Sequence, residues 1–194
     1  GDARTVPVVG GPIKEGGAIT GLFADQDGIY VENQHDDLVR VADGAGNTTP
    51  GGQTIPGRPT RDGKLYLKAG IIDRSSGRLY VQAHTKGGAL AWETPVTLTL
   101  PVLHILLLSS DSQGNIYLGA EVGQEDPATL ELADLATVVV RLDSAGQVTG
   151  TLTLPPTTAD PAETFRPLVV GADGAIYHMV VGKEGIVVRV YRFA

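Results

Sequence analysis

Five of the six tyrosines in this chain follow a glycine by two or three residues: Gly28 with Tyr30, Gly63 with Tyr66, Gly77 with Tyr80, Gly114 with Tyr117, and Gly174 with Tyr177. Glycine supplies the positive φ of a tight hairpin without steric cost, and the apolar residue and tyrosine after it start a strand whose ring packs on one face. A chain that repeats this pairing repeats its hairpins. The fullest example covers residues 102–154, with an apolar run at 102–108, a turn at 111–114, a strand from 115 and a second run at 138–142. A turn at 143–146 and a last run at 148–154, stopped by Pro155 and Pro156, complete it. That is a four-stranded antiparallel meander.

The same marks divide the rest of the chain. Arg40, Arg141 and Arg189 each sit inside an otherwise apolar run at strand distance from a hairpin. The first unit takes strands at 18–24, 29–33 and 37–42, with a weak outer strand at 53–56. The second takes 65–72, 78–84, 89–93 and 96–100, and the third is 102–154. The fourth takes 165–171, 175–181 and 185–191 and lacks its outer strand. In this scheme Gly77 turns the first hairpin of the second unit, and Gly63 is only the entry turn to the strand at Leu65.

Composition agrees with many short strands. There are 26 glycines and 12 prolines, while aromatics make up 5%, a profile that disfavours helix. A chain of 194 residues suits one large domain or two small ones, and by size scaling roughly 70% of its unfolded surface could be buried. Fifteen basic residues against 22 acidic ones, scattered singly, leave no nucleic-acid footprint. No apolar segment approaches the roughly 20 residues of a membrane span. The absence of cysteine excludes disulfides and thiolate metal sites. A cysteine-free, low-lysine chain rich in Thr and Gly fits an extracytoplasmic bacterial protein.

Repeats of this kind resemble bacterial β-propellers built from NHL-type or quinoprotein-type blades. The Gly and Tyr pairs carry the first likeness; Gly88, Ala89, Leu90, Ala91, Trp92 and Glu93 carry the second. The expectation is an all-β β-propeller of about four four-stranded antiparallel blades in one domain, 1–194, with blades near 18–60, 61–101, 102–155 and 156–194. Residues 5–9 are expected to supply the outer strand of the last blade and so remove a free sheet edge. The alternative is a part of a larger ring.

In a meander the first and third turns of each blade share one face of the disc, and the second turn and the crossover share the other. This sorts 25–28, 43–46, 74–77, 111–114, 143–146 and 172–174 onto a short-turn face. It sorts 35–37, 49–64, 85–88, 122–137, 155–164 and 182–185 onto a long-loop face, where binding groups are usually found. The candidate binding residues are His35, Asp36, Asp37, Arg58, Arg61, Lys86, Glu125, Asp126, Asp160, Glu163 and Lys183. Asp25, Asp27 and Gly28 open like a calcium loop, but the strand-like residues after them favour turn capping. His35, His84 and His178 end or follow second strands toward the long loops, too far out from an axis to share one ion.

No nucleophile elbow, phosphate loop or dinucleotide fingerprint is present. No catalytic residue, metal ligand or cofactor is assigned. The leading expectation is a non-enzymatic binding or assembly module that contacts a protein or glycan through the long-loop face. One alternative is a small-molecule hydrolase, as in the lactonase-like propellers the fold resembles, with an axial metal site. It requires polar residues on innermost strands, where Phe23, Leu67, Ile105, Leu107, Leu168 and Val170 are expected instead. Another alternative is a structural spacer of a larger surface protein.

Overall fold

The computed structural model describes residues 19–25, 27–33, 37–47, 54–126, 132–156, 167–182 and 185–194. They form four antiparallel sheets arranged in a ring in the manner of a four-bladed β-propeller. The first sheet has the order β1 (Ile19–Asp25), β2 (Gly28–Asn33), β3 (Asp37–Asp43), β4 (Thr54–Ile55). The second runs β5 (Arg58–Pro59), β6 (Tyr66–Asp73), β7 (Arg78–His84), β8 (Leu90–Thr97). The third runs β9 (Val102–Ser110), β10 (Ile116–Glu125), β11 (Leu132–Leu142), β12 (Val148–Leu154). The fourth has three strands, β13 (Leu168–Val170), β14 (Ile176–Gly182) and β15 (Gly185–Tyr191). Among the described residues no helix is long and apolar enough to cross a membrane.

Local chemistry explains the hairpins. Asp111 Oδ1 accepts the backbone N–H of Gln113 and of Asn115, each at 2.9 Å. Asp143 holds Ala145 and Gln147 in the same way, and Asp43 holds Ala45 and Asn47. An aspartate opening the turn and a glycine in the left-handed region closing it make one recurring unit.

The core is a series of layers between consecutive sheets. Leu38, Ile55 and Tyr66 join the first two. Leu79, Val81, Val102, Leu118 and Leu142 join the second and third. Leu107, Val139, Leu154, Leu168 and Ile176 join the third and fourth. The turn tyrosines Tyr30, Tyr66 and Tyr117 are buried in these layers, whereas Tyr177 is 40% exposed.

The second sheet departs from the expected scheme by one strand. Its first strand is β5, which precedes Gly63, so the boundary with the first sheet lies between Ile55 and Arg58. Leu67 therefore stands on the second strand of its sheet. The cause is Gly57. Ile55 pairs with Leu38 in one sheet, and Arg58 pairs with Leu67 in the next. Between them Gly57 adopts φ 114°, and a Cβ there would lie 2.3 Å from the Leu67 carbonyl oxygen. Only glycine lets the backbone pass so close while switching sheets. At the other edge, the expected strands 89–93 and 96–100 are a single strand, β8, which runs through Pro95. Pro95 is tolerated because an edge strand loses no ladder bond there.

This offset reverses part of the loop sorting. Antiparallel order carries 60–65 and 85–88 to the same end of the ring as 25–28, 111–115, 143–147 and 171–175, and carries 74–77 to the opposite end. Contacts between sheets agree. Ser112 N–H donates to Ala172 O at 2.9 Å, and Lys86 reaches Asp27. At the far end, Val102 N–H donates to Arg74 O, also at 2.9 Å. The expected closing strand, residues 5–9, lies outside the described residues.

Candidate functional site

At the turn end of the ring, two arginines from β5 and the turn after it reach neighbouring sheets. Arg58 donates from Nη1 to Leu108 O at 3.1 Å and lies 5.4 Å from the centre of the Phe23 ring. Arg61 donates from Nε to Ser110 O and from Nη2 to Val170 O, each at 2.9 Å, while its backbone N–H donates to Ser110 Oγ at 2.8 Å. One guanidinium thus ties three sheets. Carbonyl oxygens at sheet ends hold partial negative charge, and a planar fork of donors suits them better than a single ammonium. Arg74 does the same at the opposite end, bonding the carbonyls of Val102 and Leu103.

The turn at 111–115 holds a buried network. Tyr117 Oη donates to Asp111 Oδ2 at 2.9 Å, and Asn115 Nδ2 donates to the same oxygen at 2.8 Å. Burial alone would raise the Asp111 pKa, but the bonds from Asn115 and Tyr117 overcome it and hold the carboxyl below its ordinary range. Burial and that same bond push the Tyr117 hydroxyl up to about 12.

The other residues expected on the binding face do not gather into one group among the described residues. Lys86 pairs with Asp27 at 2.6 Å, an exposed link between the first two sheets. The bond from Lys86 lowers the Asp27 pKa, and Asp27 in turn raises that of Lys86. Asp126 is exposed beside the end of β10. Asp37 and Glu125 are described only as strand ends. His35, Asp36, Asp160, Glu163 and Lys183 lie outside the described residues. His84 is held within its own sheet, with Nδ1 3.3 Å from Gly88 O and Nε2 3.2 Å from Gln82 Oε1. β7 is the third strand of its sheet, not the second as expected, and it brings His84 to the turn end of the ring.

Among the described residues, exposed large hydrophobic side chains concentrate on the fourth sheet. Leu168, Val170, Ile176 and His178 point to the third sheet and are buried. On the opposite face Val169 is 49% exposed, Ile186 68%, Val188 57% and Val190 55%, beside Tyr177. Cross-strand pairing makes this one surface, since Tyr177 stands between Val169 and Val190. The outer strands of the other large sheets differ. β8 is covered where Trp92 donates from Nε1 to Ser144 O at 3.1 Å, and β12 where Phe193 packs at Gly150. β15 is exposed from Gly185 to Val190. Sequence reading identified this strand but not its exposure, because a run of β-branched residues signals burial on both faces.

A groove of about 300 Å³ also runs between β8 and β12, floored by Val96, Leu98, Val138 and Val140 and rimmed by Thr97 and Thr151. It has no charged lining residue.

Comparison with known proteins finds no protein family whose sequence pattern this chain matches. It also finds no curated protein with detectable sequence similarity.

Proposed function

We propose that this protein is a non-enzymatic assembly module of the propeller class that acts by protein contact, with the face of the fourth sheet turned away from the third as its docking surface. The observation that carries the reading is the continuous apolar face of Val169, Tyr177, Ile186, Val188 and Val190, each at least 40% exposed. Exposed apolar area of this kind favours association through loss of water contact, and a flat aliphatic sheet suits another protein surface better than a hydroxyl-rich glycan. The extracytoplasmic setting expected from composition belongs to the same proposal. So does the likeness to quinoprotein-type blades, which Trp92 supports by packing against Gly146 of the next sheet.

The enzyme alternative gains no support at the turn ends of the first strands β9 and β13. There the carbonyls of Leu108, Ser110 and Val170 accept from arginines, which repel a cation.

Photo-crosslinking from position 188 in the native host cell tests the proposal, with position 144 as an exposed control. A discrete protein adduct that forms from 188, not from 144, and is lost with Ile186→Lys supports it. Equal background labelling at both positions, with the protein folded, refutes it.

A further inference from the structure

Between the third and fourth sheets two polar side chains are enclosed without partners. His178 on β14 is fully buried, and neither Nδ1 nor Nε2 has a hydrogen-bond partner. Thr137 on β11 is also fully buried, with Oγ1 unpartnered. Both belong to facing surfaces. Thr137 is cross-strand to Leu154 and His178 to Leu168, and those two leucines share the apolar layer between the sheets.

Neutral imidazole already carries one N–H without an acceptor in this layer. A proton on the second nitrogen adds a charge where water cannot follow. The surrounding groups do not offset it. On β15, Arg189 stands directly opposite His178, and the Tyr191 ring centre lies 6.2 Å from the imidazole centre. β13 presents Leu168. From the third sheet come Thr137 and, in the same cross-strand row, Glu121 on β10 and His104 on β9, none of them bonded to His178. Burial first and Arg189 second lower the His178 pKa.

We propose that His178 is an acid-sensitive latch: neutral, it lets the third and fourth sheets close on each other, and protonated, it releases the fourth. The direction follows from linkage. A histidine that is harder to protonate when folded leaves stability intact above its ordinary pKa of about 6.5, and removes it progressively as pH falls toward the lowered value. The inference concerns the fold's own layer and does not depend on the docking surface proposed above.

Amide exchange of the full chain, corrected for the intrinsic pH effect, tests it. From pH 7.5 to 5.5 the opening of β13, β14 and β15 is expected to rise severalfold, toward the ceiling of about tenfold set by an ordinary imidazole pKa of about 6.5, with β6 and β7 unchanged. His178→Leu is expected to abolish the rise, whereas Glu121→Gln leaves it intact. Equal opening of all sheets, or a rise that survives His178→Leu, overturns the latch. If the leucine variant does not fold, NMR titration of the wild-type ring decides. An imidazole titrating well below the other histidines supports the proposal, and one titrating at or above about 6.5 overturns it.

Discussion

Replacing Tyr117 with Phe removes one hydroxyl from a buried polar network. The ring itself keeps its place, because Tyr117 is 2% exposed and packs with Phe193 at 6.0 Å between ring centres. What is lost is the 2.9 Å bond to Asp111 Oδ2. A hydrogen bond to a charged acceptor contributes about 1.5–3 kcal/mol. The lower half of that range applies, because Asp111 keeps three other donors, from Asn115 Nδ2 and the N–H groups of Gln113 and Asn115. The expected loss is therefore about 2 kcal/mol at pH 7, read from urea unfolding by linear extrapolation. The loss should shrink in acid. The Asp111 pKa is lowered in the folded state, so the stability it contributes is present above its unfolded value near 3.8 and disappears as pH falls through the folded value. Tyr117→Phe weakens that lowering, and the two proteins should converge as acid protonates the folded Asp111 carboxyl. A double-mutant cycle with Asp111→Asn should recover about 1.5 kcal/mol of coupling. A loss below about 0.5 kcal/mol at pH 7, or one that does not shrink as acid protonates Asp111, would show that the bond does not carry the turn.

Arg61→Ala removes two guanidinium bonds to neighbouring sheets. It should cost about 2 kcal/mol in urea unfolding, and Arg61→Lys should recover less than half, because one ammonium cannot serve both carbonyls. Gly57→Ala meets both a φ of 114° and a carbonyl at 2.3 Å. A loss of at least about 2 kcal/mol is expected, and a neutral result would mean that β4 and β5 do not switch sheets there. Val188→Lys, on the open face of the fourth sheet, should change stability by less than about 0.5 kcal/mol; a loss several times larger would mean that the face is covered. Deletion of residues 1–9 should expose alternate β15 amides to faster exchange if that segment completes the fourth sheet, and unchanged exchange would remove it as the closing strand.

Much of the architecture is legible in the residues because its causes are local. An Asp-to-Gly turn satisfies itself within a few residues, so Asp111 to Gly114 and Asp143 to Gly146 announce their hairpins without help from the rest of the chain. The meander of residues 102–154 and the three-stranded fourth unit follow from such signals. So does the weak outer strand near Ile55.

What tertiary structure decided is where local signals compete. Gly63 and Gly77 both open hairpins with a following tyrosine, and nothing near either says which begins the sheet. Gly57 decides it, through an approach to Leu67 that comes with the pairing of β5 and β6. Arg58 and Arg61 read as loop charges until the carbonyls of Leu108, Ser110 and Val170 are brought beside them. The alternation along β14 directs His178 to one side of its strand. Only the packing of a second sheet turns that side into a closed layer without a partner for the ring, because burial and hydrogen-bond supply are properties of surfaces that meet across a distance in the chain.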